Sequence, residues 1–298
     1  MPITEEAIPL SGILGKKFDV LDHGFVVLVD VMGDDSSIVQ AARVSYGKGT
    51  KSVSVDRELI RYLMRHRHTS PFEMVEFKFH VKLPIFVARQ WIRHRTANVN
   101  EYSARYSILD REFYIPEPDV LAEQSTVDRQ GRDMLLPKEE AEKVRSLMQK
   151  NSEKAYALYE YFLNEEDEDP NRSKLARELA RIVIPTNVYT QWYWKIDLHN
   201  LFHFLSLRLD VKAQYEIREY AKVMTGMVKA AVPVAYEAFE DYRLNAINLS
   251  AKEVAIVKTF LDKVDITEEE IKAECDSAGL TNKLELREFK EKLQRLLK

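Results

Sequence analysis

The segment MVEFKFHVKLPIFVARQWIRHR (residues 74–95) changes its hydrophobic period at Pro84. Before the proline, apolar and polar residues alternate, which is the pattern of a β-strand with one buried face. After it, apolar residues recur at helical spacing, and proline favours the first turn of a helix. A half-buried strand needs neighbouring strands and a layer of helices over its apolar face. We therefore expect an α/β chain of the α+β type, with a small, largely antiparallel central sheet flanked by helices.

Similar patterns place further elements along the chain. Aromatic and β-branched residues predict strands at 24–33 and 187–197. A long helix is predicted at 213–244, bent near Pro233 because proline lacks the amide hydrogen that a helix interior needs. Apolar residues at helical spacing predict six other helices, at 34–47, 54–68, 84–95, 138–163, 173–184 and 198–210.

The character of the chain changes at about residue 245. Residues 1–244 contain all the aromatic-rich segments just described. Residues 245–298 are rich in charge and poor in aromatic residues, and their pattern predicts two or three short helices. We expect residues 1–244 to form the functional core. Residues 245–298 are expected to be a charged, solvated helical extension outside the active unit, in preference to a partner-binding helix.

Composition excludes several classes of protein. The formal net charge of the 298 residues is −4, so a general nucleic-acid binder is not expected and any phosphate binding must be local. The nine glycines form neither a GxGxxG nor a Walker motif, which argues against a Rossmann or P-loop enzyme. No apolar run approaches the ~18 residues of a membrane span, and the N-terminus lacks the order of a signal peptide. We therefore expect a cytoplasmic protein. The single cysteine, Cys275, allows no internal disulfide.

Residues 89–107 (RQWIRHRTANVNEYSARYS) contain four arginines and one histidine around a single glutamate. None of the positive side chains is a lysine, and the planar guanidinium of arginine grips phosphate oxygens with two parallel hydrogen bonds. On a helical wheel, Gln90 and three of the basic residues share one face of the helix predicted at 84–95. A cationic helix end at a solvated surface would show the same pattern. Because five such groups repel one another, we favour a phosphorylated small ligand as their counter-charge.

Two charged side chains have alternative interpretations. Glu101 can accept a hydrogen bond from a ligand, or it can pair with Arg105 at helical spacing. Arg208 lies in the apolar run LFHFLSLRL, where an unpaired charge is costly. It is therefore either aimed at a ligand or paired with Asp210 or Glu216.

Two other classes of function compete with a small-ligand enzyme. His199 and His203 stand four residues apart, but HNLFH lacks the glutamate of the HExxH zinc motif, so no metal site is expected. Tyr102 and Tyr106 beside the arginines would suit an RNA-binding module that stacks bases. That alternative does not explain the net acidity of the chain.

The triplet RHR at residues 93–95, followed after seven residues by Ser103, resembles the RHR-x7-S signature of the flavin-dependent thymidylate synthases. The overlapping NEYSARY is similar to the family's NE-x-S-x-RY. The resemblance covers about residues 18–244 and does not reach the extension. One departure is Asn98, where many members have serine, which is also small and hydrogen-bonding. Other segments resemble the family in the same order: AARVSYG, HTSPFEMVEFKFHVKLPIFVARQW, ARIVIPTNVYTQWYW and FLSLRLDVKAQYEI.

The resemblance implies an enzyme that makes dTMP from dUMP. Methylenetetrahydrofolate would supply the one-carbon unit, and FAD would relay a hydride from NADPH to C6 of dUMP. The resemblance also implies a homotetramer whose FAD and dUMP sites are shared between subunits. Neither nucleic acid nor a membrane is expected as a partner.

Matched motif positions imply the site residues. Arg208 matches the arginine thought to ionise or polarise the uracil ring, so we expect it to be the catalytic residue. The implied dUMP-binding residues are Gln90, Arg93, Glu101, Ser103, Ala104, Arg105, Arg181 and Arg208. The implied FAD-binding residues are Ser70, Arg93, His94, Arg95, Glu101, Asp197, His199 and His203.

The lack of cysteine in residues 1–244 gives a chemical reason for such an arginine. Uracil C5 is a poor nucleophile, and the other class of thymidylate synthase activates it by adding a thiolate at C6. A positive group beside N3 and O4 of the ring would instead stabilise the developing enolate charge. Ser103 is a weaker candidate nucleophile, because no base adjoins it in the sequence.

Overall fold

A central antiparallel sheet organises the protein. A computed structural model describes residues 9–44, 53–126, 131–165, 168–264 and 266–297. The strands in it are β1 (Lys17–Val20), β2 (Gly24–Met32), β3 (Glu76–Pro84), β4 (Asn98–Glu101), β5 (Ala122–Gln124), β6 (Arg132–Leu135) and β7 (Tyr189–Asp197). Five of them form one antiparallel sheet in the order β1-β2-β3-β7-β4, and β5 and β6 form a separate pair. The expected small antiparallel sheet is confirmed.

Most of the alternating segment MVEFKFHVKL forms strand β3. All nine residues of β3 pair with the nine residues of β7 in one unbroken register. Phe77, Phe79 and Val81 are fully buried, whereas the residues between them are partly exposed. The apolar side of β3 therefore faces the core, as a period of two requires.

Helices account for most of the remaining regular structure. In the part of the chain that the structure describes, none is long and apolar enough to cross a membrane. The helices are α1 (Asp35–Arg43), α2 (Val53–Arg65), α3 (Ile85–Trp91), α4 (Lys138–Leu163), α5 (Arg177–Ala180), α6 (Leu198–Arg208), α7 (Tyr215–Ala231), α8 (Pro233–Phe239), α9 (Ala251–Leu261), α10 (Glu268–Ser277) and α11 (Lys283–Leu297). The predicted boundaries of α4 are confirmed without change.

The main apolar core lies between the sheet and helices α3, α6 and α7. Trp91, the last residue of α3, is fully buried in it. Its ring lies 4.7 Å from that of Phe204 in α6 and 5.2 Å from that of Trp194 in β7. Aromatic contacts of this kind add about 0.5–1.5 kcal/mol each beyond the area they bury. The cluster fixes the end of α3 against α6 and so positions the turn that follows α3.

A smaller core beneath α4 contains Leu109, Phe113, Tyr156, Tyr159, Leu163, Ala180 and Val188.

Two predicted helices are shorter than expected. The helix predicted at 84–95 ends at Trp91, because the chain must turn there for β4 to pair with β7. The helix predicted at 173–184 is reduced to α5 and a short 3-10 turn. The amide of Leu175 donates to the carbonyl of Phe162 at 2.9 Å, which ties this segment to the end of α4 before a helix can begin.

The other predicted strands and helices are confirmed, with ends that differ by a few residues. The predicted end of the helix at 34–47 lies outside the described residues. Strands β1, β4, β5 and β6 were not predicted. They have only three or four residues each, and neither β4 nor β6 has a buried residue that would produce an alternating pattern.

The predicted bend near Pro233 is confirmed. Val232 leaves the helical conformation, with φ −136° and ψ 66°, and α8 begins at the proline. The carboxylate of Asp35, in the first turn of α1, accepts hydrogen bonds from the amides of Val234 and Ala235 at 2.9 and 2.8 Å. Asp35 therefore caps α8 from another part of the fold and satisfies amides that have no partner within the helix.

The described residues of the extension form three helices, in agreement with the two or three predicted. Charged side chains attach α11 to α2. Glu288 accepts from Nε of Arg65 at 2.6 Å, and Glu285 accepts from Arg61 at 3.2 Å and from the hydroxyl of Tyr242. The division of the chain into a functional core and a separate extension remains a prediction.

Candidate functional site

The arginine-rich triplet at residues 93–95 lies in the turn that connects α3 to β4. The amide of His94 donates to the carbonyl of Trp91 at 3.0 Å, so the backbone turns directly after the buried tryptophan. The prediction that Gln90 and the basic residues share one helical face is therefore wrong, because the helix ends before the triplet. The buried ring on one side and the pairing of β4 on the other hold the turn beside α6.

Helix α6 forms the facing wall of the site. It begins where β7 ends, and Asp197 caps it by accepting from the backbone amide of Asn200 at 2.9 Å. The side-chain amide of Asn200 donates to the second carboxylate oxygen at 2.7 Å. Both carboxylate oxygens of Asp197, an expected FAD contact, therefore accept hydrogen bonds from Asn200 in the first turn of α6. Asn200, His203 and Leu207 follow at spacings of three and four, so they share one face of the helix.

The turn and α6 enclose a cavity of about 330 Å³. Five of its lining residues were predicted from the sequence as site residues, and the structure brings these five together. The complete lining is Arg93, His94, Arg95, Thr96, Ile196, Asn200, His203, Leu207 and Arg208.

The wall of this cavity carries positive charge, and none of its lining residues supplies a counter-charge. Three of its side chains are arginines, and none is a carboxylate. Among the described residues, no ion pair involves Arg93, Arg95 or Arg208, although arginines elsewhere in the fold pair repeatedly with acidic residues. A concave site of one sign attracts ligands of the opposite charge. The planar forks of arginine suit phosphate in particular.

Arg208 is held by a hydrogen bond to His94. Its Nε–H donates to Nε2 of the imidazole at 3.1 Å. Burial lowers the pKa of His94 to about 4, and the positive charge of Arg208 and the neighbouring His203 act in the same direction. His94 is therefore neutral at neutral pH, with the lone pair on Nε2. Burial also lowers the pKa of Arg208, but an arginine remains charged in a protein.

Neither alternative partner proposed for Arg208 pairs with it. Glu216 is only 1% exposed and accepts from the hydroxyl of Tyr114 at 3.0 Å. Asp210 accepts from the amide of Lys212 at 2.8 Å. Arg208 therefore lines the cavity and forms no ion pair with either residue.

A second group of predicted residues gathers around Glu178. Arg105 pairs with the carboxylate of Glu178 at 3.0 Å, and Nε of Arg181 donates to its backbone carbonyl at 3.3 Å. Ser103 accepts from the amide of Arg105 at 3.3 Å, and Ala104 packs against the smaller core. These four predicted residues lie near one another, but none of them lines the cavity.

Glu101 ends β4, the edge strand of the sheet. Its carboxylate accepts from Oγ1 of Thr190 at 2.9 Å. The alternative pairing with Arg105 is not observed, since Arg105 binds Glu178. Glu101 belongs to neither group of arginines in the single chain.

The remaining predicted residues also lie outside the cavity lining. Ser70 is exposed in the turn after α2, and His199 is half-buried in the first turn of α6. The side-chain oxygen of Gln90 is buried and has no hydrogen-bond partner among the described residues. Leaving such an oxygen unpaired is costly, so Gln90 marks a place where a donor from a ligand or water fits.

Five residues near the two groups were not predicted from the sequence. Two of them, Asn200 and Leu207, could have been found, because helical spacing places them beside His203. Thr96 directly follows the RHR triplet. For Ile196 and Glu178 the sequence gives no signal, since their positions depend on the pairing of β7 and on the late start of α5.

The histidines of the site show no arrangement typical of metal binding. Among the described residues, no group of three His, Cys, Asp or Glu side chains could hold a metal ion. His203 instead faces His94, with ring centres 5.8 Å apart. A third ligand for the pair His199 and His203 is therefore lacking in the part of the chain that the structure covers.

Comparison with known sequences identifies the family. The family described as thymidylate synthase complementing protein matches residues 27–234. The flavin-dependent thymidylate synthase of Ruegeria pomeroyi is 58% identical over 282 residues, which are 95% of this chain and 89% of the relative. The one of Gluconobacter oxydans is 56% identical over 274 residues, which are 92% of this chain and 86% of the relative. An alignment over 95% of the chain extends into residues 245–298, so the expectation that the resemblance stops before the extension is wrong.

A solved structure is similar as well. The UMP/dUMP methylase PolB from Streptomyces cacaoi, bound with 5-Br dUMP, is 32% identical and superposes with a TM-score of 0.67. The similarity covers 76% of this chain and 99% of that one. The family match over most of the core, the two close relatives and this fold agree with the RHR motif at the cavity. The chain therefore belongs to the family of flavin-dependent thymidylate synthases.

Proposed function

We propose that the protein methylates dUMP to dTMP, with FAD as its flavin, NADPH as the reductant and methylenetetrahydrofolate as the carbon donor. The observation that carries this proposal is the cavity in which three arginines have no acidic partner among the residues that the structure describes. A nucleotide phosphate would supply the missing negative charge. The relatives are named flavin-dependent thymidylate synthases, and a solved neighbour is named a UMP/dUMP methylase, which supports a flavin and a uracil nucleotide.

The cavity residues fit part of an FAD molecule. FAD has a negatively charged diphosphate, and Arg93 and Arg95 offer guanidinium groups without counter-ions for it. His94 and His203 add aromatic and hydrogen-bonding surface. FAD is larger than a cavity of about 330 Å³, so the ligand would extend beyond it, toward expected contacts such as Ser70. Asp197 would support the site by capping α6, because both of its oxygens are already bonded.

The two groups of arginines suggest how dUMP is bound. Arg105 and Arg181 are exposed and lie outside the cavity that contains Arg208. We propose that they complete the cavity of a neighbouring subunit in a homotetramer, where they hold the phosphate of dUMP. Gln90, Ser103, Ala104 and Glu101 would join that phosphate and sugar site. β4 is exposed along its whole length, so its edge is available for such an interface.

Arg208 is the catalytic residue in this proposal. Uracil C5 must gain electron density before it can attack a one-carbon unit, and negative charge then develops on O4 and N3. A guanidinium beside these atoms stabilises that charge. Arg208 suits the role because it is charged, half-buried and not neutralised by a carboxylate. When bound, the flavin supplies the electrons that reduce the transferred carbon to a methyl group.

The visible spectrum of the purified protein tests the proposal. We expect the absorbance of oxidised flavin, and we expect NADPH to bleach it when dUMP is present. Arg93→Gln and Arg95→Gln should retain less flavin than the wild type, because each removes a guanidinium from the cavity wall. Arg89→Gln is the matched control, since Arg89 is an exposed arginine of α3 that does not line the cavity.

Product analysis completes the test. dTMP should form only when dUMP and methylenetetrahydrofolate are both present, and UMP should be a poorer substrate than dUMP. A colourless protein that binds RNA in a salt-sensitive manner would overturn the proposal in favour of the RNA-binding alternative. Flavin binding without any methylated pyrimidine as product would overturn the assigned reaction.

A further inference from the structure

The partner of Arg208 differs in charge from the partners of two other arginines whose side chains are largely buried. Arg43 pairs with Asp56 at 2.7 Å, and Arg65 pairs with Glu288 at 2.6 Å. Arg208 instead donates to the neutral ring of His94. A carboxylate would compensate the charge of the guanidinium, whereas a neutral imidazole satisfies one N–H and leaves the charge in place.

The bond to His94 also determines which edge of Arg208 is free. A guanidinium presents its donors on fixed edges, and here Nε–H is occupied. The edge formed by the two Nη groups is left to donate elsewhere. This edge still presents two parallel donors, which match neighbouring acceptors such as O4 and a deprotonated N3 of a pyrimidine.

The imidazole is itself held in position. The ring of His94 lies 4.9 Å from that of Phe204 at an angle of 72°, an edge-to-face contact. Its backbone amide donates to Trp91, whose side chain is fully buried. His94 therefore connects Arg208 to the rigid aromatic core, and the flexible arginine side chain gains a fixed contact near its end.

We propose that His94 is a positioning residue, whose neutral Nε2 fixes Arg208 with the Nη edge and the full positive charge directed at the pyrimidine. The inference rests on the proposed function of the site. It assigns His94 a role in activating the substrate, in addition to any contact with the flavin. The role requires an acceptor without charge, so a histidine and a glutamate at this position are not equivalent.

Nuclear magnetic resonance of the wild-type protein tests the contact without any assay of turnover. The imidazole of His94 should be in the Nδ1–H form, because Nε2 accepts the bond from Arg208. The Nε–H signal of Arg208, assigned by its loss in Arg208→Lys, should exchange slowly with water. Both signals should change in His94→Phe and persist in His66→Phe, which alters a histidine outside the cavity. An Nε2–H tautomer in the wild type would overturn the inference.

Three substitutions separate positioning from a merely structural role. His94→Gln keeps a neutral acceptor and should retain kcat within about tenfold. His94→Phe keeps an aromatic ring without an acceptor and should lower kcat on the order of 10²-fold, the cost of a misplaced catalytic group. His94→Glu keeps an acceptor but adds a compensating charge, and should also lower kcat on the order of 10²-fold. Flavin content is measured for each variant, and rates are expressed per bound flavin.

The outcomes distinguish this inference from the proposed function. If the wild type makes dTMP and His94→Phe does so at a normal rate per flavin, the positioning role fails and the function stands. If His94→Glu matches His94→Gln, the requirement for a neutral acceptor fails. If the wild type makes no dTMP at all, the proposed function fails, whatever the signals of His94 and Arg208 show.

Discussion

At the scale of single residues, Arg208 shows why a charge within an apolar helical run is informative. The sequence places it among leucines and phenylalanines, where it must have a partner or a ligand. The sequence alone could not decide between Asp210, Glu216 and a ligand. The structure gives it a neutral partner, His94, which lies 114 positions away in the sequence. No pattern in the sequence predicts a contact between segments so far apart.

Substitution of Arg208 tests its catalytic role. Arg208→Ala should lower the rate of dTMP formation by about 10²–10³-fold, the usual effect of removing a group that stabilises developing negative charge. Arg208→Lys should recover only part of the loss, since lysine offers a point charge without two parallel donors. Steady-state kinetics with saturating dUMP measures both. Cys275→Ser is the control and should leave turnover unchanged, because Cys275 lies in the extension. Near-normal turnover by Arg208→Ala would rule out the role.

The pKa of His94 predicts a pH dependence of stability. In the unfolded chain a histidine titrates near ~6.5, whereas in the folded protein the pKa of His94 is lowered to about 4 by burial, Arg208 and His203. Between these values the unfolded state binds more protons, so the free energy of unfolding falls as the pH is lowered through this window.

Urea unfolding at several pH values measures this effect. His94→Gln should show a flatter decline than the wild type between pH ~6.5 and ~4, because it removes the titrating group. Ser70→Ala, at an exposed position and without a titrating side chain, should keep the slope of the wild type. Parallel curves for the wild type and His94→Gln would contradict a lowered pKa.

At the scale of elements, the prediction succeeded where period and length agreed. β3 alternates along most of its nine residues, β7 is rich in aromatic and β-branched residues, and α4 has 26 residues of helical pattern, so their local signals were strong. The C-terminal end of α3 and the length of α5 were not predictable from the sequence. They are set by the pairing of β4 with β7 and by the bond from Leu175 to Phe162, which are tertiary contacts. The resulting turn places the RHR triplet at the cavity.

Asp35 provides a test of such a tertiary contact. Asp35→Ala should lower the free energy of unfolding by about 1–2 kcal/mol, because it removes the cap from two amides at the start of α8. Asp35→Asn keeps one acceptor oxygen and should lose less. Asp30→Ala is a control on an exposed carboxylate and should change stability by no more than about 0.5 kcal/mol. Urea denaturation ranks the three variants, and an equal loss for Asp35→Ala and Asp30→Ala would exclude the cap.

At the scale of the whole molecule, the structure separates the predicted site residues into groups. The RHR triplet, His203 and Arg208 lie at one cavity. Arg105 and Arg181 lie together around Glu178 instead, outside that cavity. A matched motif indicates which residues take part in a site, but it does not indicate which surfaces of the folded chain lie next to each other. If the site is shared between subunits, each chain must contribute predicted binding residues from two separate places, and the chain has two such groups.

The attachment of the extension is also a property of the whole molecule. Glu285 and Glu288 of α11 are at most 14% exposed at their side chains and pair with Arg61 and Arg65 of α2. Removing one partner leaves the other charge poorly solvated, so the double variant Glu285→Gln, Glu288→Gln should weaken the contact substantially. We expect amide hydrogen exchange in α11 to accelerate at least about tenfold, with little change in β3 and β7.

The matched control for this experiment is Glu291→Gln. Glu291 lies on the same helix but pairs only weakly with Arg287, at 3.8 Å, and both side chains are exposed. Its removal should leave exchange in α11 unchanged. High salt should accelerate exchange in the wild type only modestly, since partly buried pairs are screened less than exposed ones. If the double variant exchanges like the wild type, apolar contacts and not these ion pairs hold α11. If it loses dTMP formation, the extension belongs to the active unit, contrary to the predicted division of the chain.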